Sequence, residues 1–222
     1  MEASSRDCQL EYWNAVGPTK TFAHPVNVAQ LRQLLTPSSR ILDYGCGYGR
    51  VLGILHENGF LNLIGVDPAV EMIAMARHRF PSITFEILDD FRKVRLPDDS
   101  VDAVLLFAVL TCVPSDEGQR AIVDEATRLL RATGILYISD MCLQADSRNI
   151  ERYQVGLKKY GVEGVFDLPE GVTVRHQPRE WIDELTRDYQ LIAAGDIQLQ
   201  TMNGHAANGF QWLGRKRNLT TR

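Results

Sequence analysis

The chain has 222 residues, 45% of them hydrophobic and 23% charged, with a formal net charge of −4. Such a balance describes one globular domain able to build its own core, and its mild acidity gives no reason to expect a nucleic-acid partner. No run approaches the roughly 20 apolar residues of a membrane span, and the opening MEASSRDCQLEYW lacks the apolar core of a secretory leader. No membrane partner is expected, and the localisation reads as cytoplasmic. Cys8, Cys46, Cys112 and Cys142 show neither C-x-x-C spacing nor clustering with other metal ligands, as suits reduced thiols.

The segment before residue 37 begins irregularly. Tyr12, Trp13, Phe22 and His24 form an aromatic-rich stretch broken by Gly17-Pro18 and Pro25, which suits a closing loop better than a core helix. Val28, Leu31, Leu34 and Leu35 then fall on one helical face, stopped by Pro37. That helix reads either as a lid or as a helix packed on a sheet edge.

Arg40 to Leu55, RILDYGCGYGRVLGIL, carries the strongest pattern. An apolar run ends in Asp43, three glycines follow at Gly45, Gly47 and Gly49, and Val51, Leu52 and Leu55 leave at helical spacing. This is a buried strand, a tight turn and a helix start. Glycines accept positive φ and let a ligand approach the backbone, next to the unpaired N–H groups of the helix N-terminus. Cys46 lies inside the turn, where its small size matters more than its reactivity. About twenty residues on, the run Leu61 to Val66 ends in Asp67-Pro68. An acid at the end of a second strand, this far from a glycine turn, suits the two hydroxyls of a ribose. The dinucleotide pattern G-x-G-x-x-G wants a final glycine where this chain has Arg50, which disfavours a pyrophosphate.

With Asp43 ahead of the turn, the stretch resembles motif I of the class I S-adenosylmethionine (SAM)-dependent methyltransferases. The resemblance runs from about Ser39 to Asp140. Phe85 to Phe91 is similar to the family's third strand and its adenine-reading acid, Leu96 to Val104 to its next loop and fourth strand, and Leu129 to Leu136 to the L-L-x-P-G-G-x-L turn, with Ala132 and Thr133 where Pro and Gly are common. It implies SAM as cofactor. Gly45, Cys46, Gly47 and Gly49 would contact it by backbone, Asp43 would orient the methionine end or the turn, and Asp67 with Pro68 would hold the ribose. Asp89 or Asp90, with Phe91, would frame adenine. Strand phase favours Asp89, whereas spacing to Pro97 favours Asp90. Phe107, at the end of the fourth strand, joins the cofactor set.

The expected strands lie near 40–44, 62–67, 83–89, 101–107 and 134–140, with helices near 49–58, 70–79 and 116–130. Their near-continuous apolar runs imply burial on both faces and a parallel sheet. The resemblance extends this to an α/β, Rossmann-like, mostly parallel sheet of seven strands in the order 3-2-1-4-5-7-6, with helices on both faces. Residues 1–36 would be a lid segment, 39–140 the cofactor-binding core, 141–177 a cap inserted after strand five and 178–214 the completion of the sheet. The cap reads as a helix over Arg148 to Tyr160 and a hairpin around Pro169-Glu170-Gly171. Pro178 starts another helix, with Trp181, Leu185 and Ile182 inward. Ile192 to Met202 and Phe210 to Gly214 would be the last strands, joined by a loop at Asn203 to Gly209. The basic stretch Arg215-Lys216-Arg217 and Arg222 reads as a solvated tail.

Ala108 to Pro114 lacks the Asn/Asp-Pro-Pro-aromatic stretch that methyltransferases of nucleic-acid or protein nitrogens often carry here. Phe107 stands where catechol-type enzymes place a Mg²⁺ ligand, leaving Asp140 without the oxygen cluster a hard cation needs, so no metal is expected. The expected function is methyl transfer to a small-molecule acceptor. The alternatives are a SAM-binding regulatory protein without catalysis, and a nicotinamide oxidoreductase, disfavoured by Arg50 and by the lack of a Tyr-x-x-x-Lys pair. The segments outside the core offer His24, His205 and His176 as candidate proton acceptors, in that order, with His176 close enough to a helix start to act as its cap. Tyr12, Trp13, Asp140 and Asn203 are the candidate acceptor contacts.

Overall fold

A computed structural model describes residues 5–218; Arg222, part of the expected tail, lies outside the described residues. Two short helices, α1 (Ser5–Cys8) and α2 (Leu10–Ala15), and a 3₁₀ turn at Gly17–Thr19 precede α3 (Val28–Leu34). Then strands and helices alternate: β1 (Arg40–Tyr44), α4 (Arg50–Glu57), β2 (Asn62–Asp67), α5 (Val70–Arg79), β3 (Thr84–Ile87), β4 (Val101–Phe107), α6 (Asp116–Leu129) and β5 (Leu130–Met141). After α7 (Ser147–Tyr160), the short strands β6 (Val165–Asp167) and β7 (Thr173–Arg175) form their own antiparallel pair. The chain ends its regular structure with α8 (Arg179–Leu185), β8 (Tyr189–Gln200) and β9 (Ala206–Lys216).

The main sheet has seven strands in the order β3-β2-β1-β4-β5-β9-β8. With β6 and β7 set aside, that is the order the resemblance implied. β1 pairs in parallel with β2 on one side, Asp43 beside Gly65, and with β4 on the other, Asp43 beside Leu105. β9 runs antiparallel to both β5 and β8.

Burial on both faces explains the apolar runs. Leu42, Val104, Leu106, Leu136 and Ile138 join one core with Ile122, Val123 and Leu129 of α6. Their neighbours Ile41, Ala103, Leu105, Ile135 and Tyr137 join the other with Leu52 and Leu55 of α4 and Leu31 of α3. Strand alternation of period two therefore feeds two cores at once. Fully burying one such aliphatic side chain contributes about 1.5–3 kcal/mol. α3 packs on that second core, with Leu31 wholly buried.

Helix starts follow local chemistry. Ser115 accepts from Gly118 N at 2.9 Å to begin α6, and Asp146 accepts from Asn149 N at 3.2 Å to begin α7. Gly161, at φ 70°, ends α7. Three boundaries differ from expectation. β5 leaves α6 directly at Leu130, with a register shift opposite Val101 and Ala103 and Thr133 at φ 66°, so the Ala132-Thr133 turn is an irregularity inside a strand. β8 and β9 begin at Tyr189 and Ala206, and their connection is confined to the residues around Asn203 and Gly204. The basic stretch is anchored: Lys216 Nζ reaches Asp99 Oδ1 at 3.0 Å and Leu130 O at 2.6 Å, and Arg217 Nε donates to Tyr189 O at 3.0 Å.

Candidate functional site

The glycine loop is fixed to the end of β2. Gly45 N and Cys46 N both donate to Val66 O, at 2.8 and 3.0 Å, and Gly47 N donates to Asp67 Oδ2 at 2.9 Å. The other Asp67 oxygen accepts from Ala69 N at 2.8 Å. A carboxylate has about four lone-pair sites, so two remain for a ligand. Gly45 has φ 77°, and a Cβ there would lie 2.7 Å from Val109 Cγ2. Gly47 has φ 53°. Gly49 serves the fold: it is the left-handed N-cap of α4, and a Cβ on it would lie 2.8 Å from Phe85 Cζ.

These residues form one side of a cavity of about 920 Å³, open at its mouth. Asp43, Gly45, Cys46, Gly47, Asp67, Pro68 and Phe107 line it, joined by Arg50 and Met72. Asp43 is 1% exposed, and its Oδ2 has no hydrogen-bond partner among the described residues. Burial pushes its pKa up to about 7, against the opposing charge of Arg50. Burial also raises Asp67, to about 6, in spite of its two backbone donors. The Cys46 thiol is pushed up by burial and by Asp67 and Asp43, which makes it unreactive. Leu88, Phe91, Val109 and Val113 supply apolar lining. Gln119 of α6 fixes part of that lining by donating to Leu110 O and Val113 O, each at 2.8 Å.

The N-terminal segment covers this cavity, and it does so through Asp7, Cys8, Trp13 and Phe22. Asp7 accepts from Ser115 N at 3.1 Å and from Ser115 Oγ at 2.6 Å. No sequence pattern marks Asp7 and Cys8 as cavity residues, because their placement depends on packing against α6, far along the chain.

Beside it lies a second cavity, of about 1090 Å³. The two share Trp13, Phe22, Ala108 and Cys112 as walls. Ala108, just past β4, has φ 57°, a conformation that residues other than glycine rarely adopt. The rest of the second cavity comes from the ends of α7, β7 and β8 and from the two hairpin turns, with Phe166, Leu168, Leu199 and Met202 as its apolar lining. Lys20 ties these turns together, bonding Glu170 Oε1 at 3.2 Å and Asn203 Oδ1 at 2.6 Å. Buried Arg175 of β7 reaches Asp116 of α6 at 2.6 Å.

All three candidate histidines line this second cavity. His24 is buried with Nδ1 3.2 Å from Ser139 Oγ, and burial, then the charge of Arg50, lowers its pKa to about 4. His205 is exposed on the β8–β9 hairpin. His176 does not cap a helix: α8 has no side-chain cap, and His176 Nδ1 lies 2.5 Å from Tyr153 Oη. That hydroxyl also accepts from Gln144 N at 3.0 Å. Burial, then Arg152, holds the His176 pKa near 3.

Four expected site residues lie elsewhere. Asp89 points out to Arg95, and Asp90 is held by Arg92 through Nε and Nη2, each at 3.0 Å, so neither carboxylate lines the first cavity, although Phe91 does. Tyr12 packs beside Phe166 and Val174, outside the cavity lining. Asp140 is wholly buried and accepts from Met141 N at 2.7 Å and Thr111 N at 3.2 Å, which fixes the turn after β4 rather than meeting a ligand. Among the described residues no three His, Cys, Asp or Glu side chains converge as a metal-binding group, and no helix is long and apolar enough to cross a membrane.

Residues 42–138 match the family model described as a methyltransferase domain. A crystal structure of a SAM-dependent methyltransferase from Methanosarcina mazei superposes with a TM-score of 0.80, at 22% identity, over 87% of this chain and 99% of that one. This chain carries a methyltransferase domain with the fold of the class I SAM-dependent methyltransferases. Among curated relatives of this methyltransferase, the tRNA N(3)-cytidine methyltransferase METTL2 of Mus musculus is 31% identical over 111 residues, 46% of this chain and 28% of that protein. The ubiquinone biosynthesis O-methyltransferase of Xanthomonas campestris is 29% identical over 140 residues, 59% of this chain and 56% of that protein. The matches thus span about a quarter to just over half of these relatives' lengths. SAM is the family's cofactor, and the donor set of the first cavity fits it. An unpartnered buried carboxylate at Asp43 suits an ammonium, a glycine loop allows close approach, and the free lone pairs of Asp67 suit a diol.

Proposed function

We propose that this methyltransferase transfers the methyl group of SAM to a small molecule held in the second cavity. The observation that carries the reading is the common wall of Trp13, Phe22, Ala108 and Cys112, which puts an apolar, capped cavity directly beside the cofactor cavity. The sulfonium of SAM supplies an already activated methyl group. The chain's own task is then placement: Asp67 and the glycine loop hold one partner, and the walls from α7, β7 and the hairpin turns hold the other. Orienting two reactants at near-attack distance can supply roughly 7–11 kcal/mol of a barrier. His24 is the residue proposed to take a proton from an oxygen acceptor, since it is neutral at pH 7 and lines the second cavity. The closing of the second cavity by Lys20, Glu170 and Asn203 favours a small acceptor over a polynucleotide.

The test is calorimetry with S-adenosylhomocysteine (SAH) and with NAD, followed by turnover of labelled SAM on a panel of small hydroxyl, amine and carbon acceptors. SAH binding without NAD binding, and label appearing in a small molecule, is the expected result. SAH binding with turnover only on RNA would overturn the acceptor class, and NAD binding alone would overturn the whole reading.

A further inference from the structure

The next inference rests on the second cavity being the acceptor site. One wall of it carries Arg148 and Arg152, a helical turn apart on α7 and therefore on one face. Arg175 and Arg92, outside the cavity linings, are each paired, with Asp116 at 2.6 Å and with Asp90 at 3.0 Å. Arg148 and Arg152 have no carboxylate within ion-pair distance among the described residues. Arg152 instead donates to the neutral Asn149 Oδ1 at 3.2 Å and lies 4.7 Å over the ring of Phe166. The acids nearby are already engaged. Asp146 caps α7 through Asn149 N and Nδ2, and Glu170, the acid that lines this cavity, is bonded to Lys20.

Two charges of one sign brought together without a counter-ion disfavour each other, and Arg152 is lowered by burial and then by Arg148. A solvated helix face would explain Arg148, which is exposed. It does not explain Arg152, which is half-buried against an aromatic ring in a cavity wall. The same wall holds His176, whose imidazole carries an N–H in either neutral tautomer. Guanidinium groups bind planar or tetrahedral oxyanions through paired N–H bonds. We infer that the acceptor is an anionic small molecule, its carboxylate or phosphate held by Arg148 and Arg152 and its apolar body lying along Phe166, Leu168 and Met202.

The test uses the full chain saturated with SAH and three probes: benzoate, phenyl phosphate and neutral benzyl alcohol. Titration with SAH comes first. If SAH does not bind, the methyltransferase site is misread, whatever the probes do. With SAH bound, benzoate or phenyl phosphate should bind about tenfold or more tightly than benzyl alcohol. The winning anion tells a carboxylate site from a phosphate site. Arg148→Gln and Arg152→Gln should each weaken that anion several-fold while leaving SAH and benzyl alcohol affinities unchanged. Because Arg148 is exposed, its variant keeps the test clear of misfolding. If benzyl alcohol binds as well as both anions, if no probe binds, or if the preference survives in both variants, the inference is wrong.

Discussion

Gln9 and Thr173 are paired as neighbouring strands would be, although 164 positions separate them. The Gln9 side-chain amide donates to Thr173 O at 2.8 Å and accepts from Thr173 N at 2.7 Å. One glutamine thus replaces a strand at the free edge of β7 and latches the N-terminal cover to the wall of the second cavity. Gln9 itself has φ 42°, so the latch is held in a conformation that ordinary loops avoid.

Gln9→Ala should therefore loosen the cover rather than unfold the protein. Leaving two partly buried backbone groups unpaired costs about 1–3 kcal/mol each at most. The expected outcome is SAH dissociation faster by roughly tenfold in stopped-flow measurements, with a melting temperature lowered by roughly 4–20 degrees and the cooperative transition retained. An unchanged dissociation rate would show that the segment does not gate the cavity.

Asp67→Ala should weaken SAH by about 10- to 100-fold, the value of one or two hydrogen bonds to a charged group. Because Asp67 also holds Gly47 N and Ala69 N, the variant should lose stability as well. Asp67→Asn, which keeps one acceptor oxygen, should fall between. Calorimetry and thermal melts on the same samples separate the two effects.

Asp43 gives opposite pH slopes for binding and for stability. Its folded pKa, near 7, lies above the ordinary 3.8. In the empty protein its contribution to stability is complete below 3.8 and is lost as pH rises through about 7. Asp140, also near 7, and Asp67, near 6, add to that slope. An ammonium, by contrast, needs the ionised carboxylate, so SAH binding must release a proton below pH 7. Raising the pH from 5 to 8 should therefore lower the melting temperature of the empty protein while tightening SAH. Asp43→Asn should flatten the binding profile and only part of the stability profile.

Among the histidines, His24→Ala should cut turnover on an oxygen acceptor by about 10²–10⁴-fold with SAH affinity near wild type. His205→Ala, at an exposed position, should cost little. Tyr153→Phe removes the hydroxyl that bonds His176 Nδ1 and frees the ring to reorient or change tautomer. It should weaken acceptor binding, seen in KM, more than it lowers kcat.

Gly156→Ala tests whether the second cavity can be lost alone. A Cβ there would lie 1.7 Å from Val165 O, so α7 must lift from β6. Acceptor turnover should disappear, the melting temperature should fall by several degrees, and SAH affinity should stay within about threefold.

The parallel core and its glycine loop were legible because strands buried on both faces leave unbroken apolar runs, and because positive φ at Gly45 and Gly47 restricts the residue type. What escaped depends on long-range placement. The Ala206 to Gly209 stretch reads as a turn by composition, yet it is strand because Met141 and Asn208 lie on paired ladders. Asp89 and Asp90 look equivalent in the sequence. Arg95 and Arg92, which turn them away from the cavity, carry no pattern that says so. The helix holding Arg148 and Arg152 was expected, but only its contact with Phe166 sets which face meets the cavity.

The position of β9 imposes an order on synthesis. β5 finds its outer partner, and β8 its only partner in the sheet among the described residues, in residues 206–216, which are translated after both. Until those residues appear, a growing chain holds the glycine loop and both cores beside an open strand edge carrying Ile135, Tyr137 and Ile138. Open apolar edges of this kind recruit other chains. A message cut short before codon 206 would therefore encode a product prone to aggregate, even with every residue of the cofactor cavity in place.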